Sequence, residues 1–178
     1  MLETCFWLLT CEESKLKSKQ PPRPQAREFG FAEWVSVAGG FGLAPFAPGT
    51  WGSIPGVALG ALASLYLEST TKIILMVTLT LFSAWAIAKT EKKWQRHDDK
   101  AIVIDEVVGQ VLCLAWIPVS LANLLLGFLL FRAYDIFKPE PAGFFDRWNH
   151  SLGTLLDDVV AGIMAGVCLY ALQPILYP

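Results

Sequence analysis

Charge is what this 178-residue chain has little of: Asp, Glu, Lys and Arg make up 17% of it, against 54% hydrophobic residues. Soluble domains carry about 25% charged residues, so the shortage excludes an ordinary soluble domain and predicts a single membrane domain. Cysteine is scarce too. The four cysteines fall into no metal-ligand spacing, which removes a zinc site, and none is followed six positions later by arginine, so a thiolate nucleophile cradled for phosphate is also missing. Cys113 and Cys168 fall in apolar stretches and read as small core residues, whereas Cys5 and Cys11 belong to the N-terminal arm. No Gly-Lys-Thr or Gly-Lys-Ser follows a glycine-rich loop, which excludes a Walker site. The apolar patch Cys5 to Leu9 is short and has neither a basic start nor a small-residue cleavage site, so it does not read as a secretory signal.

What is present is a series of apolar runs, at about 53–67, 73–88, 102–117, 119–137 and 159–177. Each approaches the roughly 17–25 residues that cross a bilayer, the first two being short. The expected fold is therefore all-α, a polytopic membrane helix bundle of four to five apolar helices. Residues 1–28 read as a flexible arm, basic and Pro-rich, ahead of a membrane-embedded domain over 29–178. Phe29, Phe31, Trp34 and Val35 mark an N-terminal interfacial segment. With the N-terminus inside, nearly all bases become cytoplasmic: Lys15 to Arg27, then Lys89 to Lys100, then Lys138 and Arg147, with Lys72 alone outside.

The same topology gathers the acids. Asp105 and Glu106 start the third run, Asp135 lies near the end of the fourth, and Asp157 and Asp158 precede the fifth, all on the cytoplasmic rim. A carboxylate at mid-membrane costs roughly 2.5 to 3.5 kcal/mol on insertion scales, so five beside apolar runs call for a compensating cation. All-oxygen ligands suit Mg²⁺, or Mn²⁺, better than zinc. Arg132, Asp135 and Lys138 share one helix end, which Pro139 stops, and Asp146-Arg147 follows. Metal and bases together would clamp a phosphate, since neutralising charge on the transferring oxygens is the main task in phosphoryl transfer.

The glycine- and proline-rich stretch 39–53 opens the first apolar run. Thr50 or Ser53 is expected as its N-cap, and a helix start of this kind can hold phosphate. Gly56-x-x-x-Gly60 and Gly162-x-x-x-Gly166 predict close helix packing. His97 has a suitable intrinsic pKa for proton transfer, but an exposed loop histidine more often has no such role; His150 has less claim.

Five ordered stretches, GFGLAPFAPGTWGS, HDDKAIVIDEVVGQ, FRAYDIFKPEP, FFDRW and LLDDVVAG, give the chain a resemblance to the phosphatidylglycerophosphatase A family over about residues 37–172. The resemblance implies a Mg²⁺-dependent phosphomonoesterase of the bacterial inner (cytoplasmic) membrane, acting on phosphatidylglycerophosphate from the cytoplasmic face. It carries over to Asp105, Glu106, Asp135, Asp157 and Asp158 as catalytic residues, to Asp105, Glu106, Asp157 and Asp158 as metal ligands, and to Arg132, Lys138, Arg147, Thr50 and Ser53 around the phosphate. Asp135 could be ligand or orienter, and the attacking group a metal-polarised water or an acidic side chain. Asp99 stands where the family often has proline, and His150-Ser151 replace a glycine pair. Expected partners are the bilayer and a phospholipid, with no nucleic acid. The alternative from another class is a carboxylate-based, cation-coupled membrane transporter, which predicts acids near the midplane and an internal repeat; the chain shows neither.

Overall fold

The computed structural model describes residues 21–146 and 151–176, and all regular structure among them is helical. A 3-10 turn at Ala26–Glu28 leads into α1 (Phe31–Ser36), and a second 3-10 stretch, Ala38–Leu43, leads into α2 (Pro48–Tyr66). There follow α3 (Ser69–Trp94), α4 (Ile104–Leu114), α5 (Leu121–Phe137), α6 (Ala142–Asp146) and α7 (Ser151–Leu176).

The short α4 is the axis of the bundle. All of its residues except Glu106 and Leu112 are buried, and it packs on α2, α3, α5 and α7. Glycine makes this closeness possible. On α2, a Cβ at Gly56 would stand 2.7 Å from the Gln110 Cβ and one at Gly60 2.9 Å from the Leu114 Cβ; on α7, a Cβ at Gly162 would collide with the Gly109 carbonyl. The two small-residue patterns seen in the sequence are thus the surfaces that clasp α4 from either side.

Two helices, rather than the expected four or five, are long and apolar enough to cross a membrane among the described residues: Ser69–Trp94 and Leu152–Leu176. Only 22% of the apolar stretch in each is buried inside the protein. Ile73, Ile74, Val77 and Leu81 on α3, and Ile163, Val167 and Tyr170 on α7, face outward. A soluble core helix would cover such residues; these present an apolar surface suited to lipid. The run at 102–117 is the clearest departure. At eleven residues α4 is about 16 Å long, half the roughly 30 Å hydrocarbon core, and its hydrophobicity serves burial in protein.

Helix ends follow local chemistry. Ser120 caps α5, its hydroxyl accepting from Asn123 N–H at 3.1 Å. At this same end of the bundle, Asn123 and Gln173 exchange amide hydrogen bonds of 3.1 and 3.2 Å, joining the start of α5 to the end of α7. Neither Thr50 nor Ser53 caps α2. The helix starts at Pro48, whose fixed φ suits the first position, and Ala47 before it is left-handed at φ 46°.

The small helix α1 lies on the end of α3, with Phe31 exposed beside Phe82 and Trp85. Its buried Glu33 pairs with Lys93 and accepts from Gly30 N–H at 3.0 Å. Burial pushes that carboxyl up, but the Lys93 ammonium and the backbone donors outweigh it and hold it below the usual range. Residues 21–28 also touch the body. Arg23 pairs with buried Asp99 and lies over the Trp94 ring, and Asp99 also forms an ion pair with Arg96 at 2.5 Å and accepts from Ala101 N–H at 3.0 Å.

Candidate active site

The site forms where the beginning of α4 meets α7, the end of α5 and the first turn of α2. Segment 99–103 turns into α4: Ile102 N–H donates to the Asp99 carbonyl at 2.8 Å and Val103 N–H to the Ser36 carbonyl at 2.9 Å, and Gly42 and Gly52 lie so close to Ala101 and Val103 that no side chain would fit. This fixes the register in which Asp105 and Glu106 enter the first turn of α4. Negative charge is favoured there by the positive end of the helix dipole.

Asp158 reaches the pair because α7 comes unusually close. Gly109 has no Cβ to hold off the Asp158 carbonyl, which one would meet at 2.6 Å. Asp105, Glu106 and Asp158 consequently each offer a carboxylate oxygen within 4.8 Å of the other two. Asp105 and Asp158 are nearly fully buried. The sequence places Asp157 and Asp158 ahead of a helix, but α7 begins at Ser151, so both lie inside it. Successive residues on a helix point about 100° apart, and the pair divides accordingly. Asp158 faces α4, while Asp157 accepts from the Lys138 ammonium at 2.5 Å.

Lys138 is available because α5 ends just before it, with Lys138 left-handed at φ 44° and Pro139 next. Six residues earlier, Arg132 Nη1 stands 2.5 Å from Asp135 and 4.0 Å from Glu106. Asp135 in turn lies against Asp158. Five carboxylates therefore surround two fixed cations, and the acids are left undercompensated. Among the described residues, Glu106 Oε2 and Arg132 Nε are buried with no hydrogen-bond partner, as expected at a site that takes up a further group.

The first turn of α2 closes one side. A Cβ at Gly49 would run into Glu106 Oε1 and stand 3.1 and 3.2 Å from the two terminal nitrogens of Arg132. Thr50 follows at half-buried depth. Ser53, expected at the phosphate, is fully buried and donates its hydroxyl to the Gly49 carbonyl at 2.9 Å, so in this structure it secures the turn. His97 is engaged by Glu91 at 2.8 Å and is not part of the three-carboxylate group. Arg147 and His150 lie outside the described residues.

What sequence reasoning missed is the support around the acids. Asp99, read only as a departure from the family pattern, receives two arginines and a backbone N–H and so fixes the loop ahead of Asp105. Gly49 and Gly109 were not singled out either, although each is the point at which a neighbouring helix reaches a catalytic candidate. Both stand in the family stretches, at GTWGS and DEVVG.

The family model of Phosphatidylglycerophosphatase A matches residues 34–173. The chain is 38% identical over 141 residues to Phosphatidylglycerophosphatase A of Haemophilus influenzae, an alignment covering 78% of this chain and 86% of the relative. It is 32% identical over 141 residues to the protein of the same name from Escherichia coli strain K12, covering 77% and 81%. A Bacteroides thetaiotaomicron protein named "Putative phosphatidylinositol-3-phosphatase" is 32% identical over 147 residues, covering 76% and 89%. No solved structure matches the chain. The matched span contains every acid and base brought together at the start of α4, and the chain belongs to the phosphatidylglycerophosphatase A family of phosphatase enzymes.

Proposed function

We propose that the enzyme hydrolyses the terminal phosphate monoester of phosphatidylglycerophosphate to give phosphatidylglycerol, with Mg²⁺ (Mn²⁺ serving in its place), at a site on the cytoplasmic rim of the bacterial inner membrane. The observation that carries this is the grouping of Asp105, Glu106 and Asp158 within 4.8 Å, with Arg132 close beside it. Hard carboxylate oxygens are the donors Mg²⁺ prefers, and the orphaned Glu106 Oε2 is one of them. Asp105, Glu106 and Asp158 would hold the ion; Asp157, also a candidate ligand, is engaged by Lys138. When bound, the metal supplies charge neutralisation at phosphate and a more acidic water.

The chain's own residues handle the rest. Arg132 presents a planar fork suited to two phosphate oxygens, and Lys138 a point charge at the next edge, with Arg147, later in the sequence, as a further base. Asp135 orients Arg132 through their 2.5 Å contact, and Thr50 with the first turn of α2 offers donors from the opposite side. Water adds to phosphorus, the glycerol oxygen leaves and takes up a proton. The cytoplasmic assignment is supported by the lysines and arginines that flank this rim. Membership of an enzyme family leaves the transporter alternative without support.

The test is phosphate release by the purified full-length chain from phosphatidylglycerophosphate, phosphatidylinositol 3-phosphate and phosphatidic acid. It is run with Mg²⁺, after chelator, and after Mg²⁺ is restored. Release from phosphatidylglycerophosphate that stops with chelator and returns with Mg²⁺ is expected. Preference for the inositol lipid would move the chain toward the activity named for the Bacteroides relative, and turnover of none of the three would end the proposal.

A further inference from the structure

Beside the polar site lies an open apolar cleft of about 680 Å³, walled by Phe41, Leu43, Pro45, Phe46 and Trp51. We infer that this cleft takes an acyl chain of the phospholipid whose phosphate enters the carboxylate site, an inference that rests on the lipid phosphatase reading above. No charged side chain lines it, and its volume falls within the roughly 300–1,000 Å³ of sites that hold small organic ligands.

Its position argues for substrate rather than bulk bilayer lipid. Trp51 stands two residues after Gly49, the glycine pressed against Glu106 and Arg132. Gly42, inside the loop that forms the cleft, packs on Ala101 and Val103, which run directly into Asp105 and Glu106. Cleft and carboxylate site thus share the first turn of α2 as a common wall, apolar on one side and facing Arg132 on the other. A second apolar cleft, between α7 and the end of α4 at Ile163, Val167, Tyr170 and Leu112, is smaller at about 250 Å³ and lies at the end of α4 away from Asp105 and Glu106. Left-handed residues stand at both ends of the loop, Ala38, Gly39 and Gly40 before it and Ala47 after it, and give it the bend that opens the cleft. An amphiphile with an anionic head and an aliphatic tail fits two adjoining surfaces of such opposite chemistry.

The test compares a dioleoyl with a dibutyryl phosphatidylglycerophosphate, in detergent with Mg²⁺, for the parental enzyme, Phe46→Gln and Trp51→Phe. Phe46 is 81% exposed, so its replacement leaves the folded core intact. The expected result is a parental preference for the long-chain lipid that Phe46→Gln cuts by about tenfold, through KM and not kcat, as for an interaction equally strong in ground and transition states. Trp51→Phe, which preserves an apolar wall, keeps the preference. Equal loss on both substrates, an unchanged preference, or no parental preference at all would overturn the inference. Failure of the parental enzyme on both lipids would instead overturn the phosphatase reading.

Discussion

Two neighbouring aspartates on α7 have been given different partners by one residue of helical rotation. Asp158 shares its surroundings with Asp105 and Glu106, while Asp157 is neutralised by Lys138 at 2.5 Å. Their amide variants should separate accordingly. Asp158→Asn is expected to lower kcat for phosphate release by about 10²–10³-fold, the scale for removing a group that acts on the reacting centre. Asp157→Asn is expected to cost roughly 10–100-fold, the scale for a partner one step removed. Initial rates at saturating Mg²⁺ decide it, and equal losses would return Asp157 to the ligand set. At this scale the sequence was informative about which residues carry charge chemistry, since acids beside apolar runs stand out whatever the fold. It was silent about which acid meets which base. Adjacent aspartates in LLDD look equivalent until the rotation of α7 against α4 is known. Ser53 misled for a related reason: a hydroxyl near a helix start reads as a cap, but Pro48 had already begun the helix.

Among elements, α4 depends on glycine on two sides. A side chain at Gly162 has no flexible neighbour to displace, because the obstacle is the Gly109 carbonyl itself. Gly162→Val should therefore destabilise the protein by about 1–3 kcal/mol, read as a lowered midpoint of thermal unfolding in detergent. Val167→Leu, on the outward face of the same helix, should leave the midpoint where it is. The glycine spacing was legible in the sequence because small residues four apart define a face. The length of α4 was not. An apolar run looks the same whether lipid or protein will cover it, and only the dense packing of α2, α3, α5 and α7 around IVIDEVVGQVLCL shows that protein does.

For the molecule as a whole, the proposed cytoplasmic site predicts that the ends of α3 lie on opposite faces of the membrane. In a background with the native cysteines replaced by serine, Ser69→Cys should react with an impermeant maleimide added outside intact cells, and Lys92→Cys only after permeabilisation. The reverse pattern would transfer the carboxylate site to the outer face. The family and its helical, apolar character were accessible from ordered motifs and composition, whereas the count of crossing helices was not, for the reason given by α4. That helix also bears on how variation in this chain should be interpreted. With backbone pressed against it from both sides, nearly every substitution in α4 will be rejected, at Val108 or Val111 as firmly as at Asp105. A survey of tolerated sequences would then outline a continuous intolerant band running away from the chemistry. Separating the residues that react from those that merely fit would take activity measured per folded molecule.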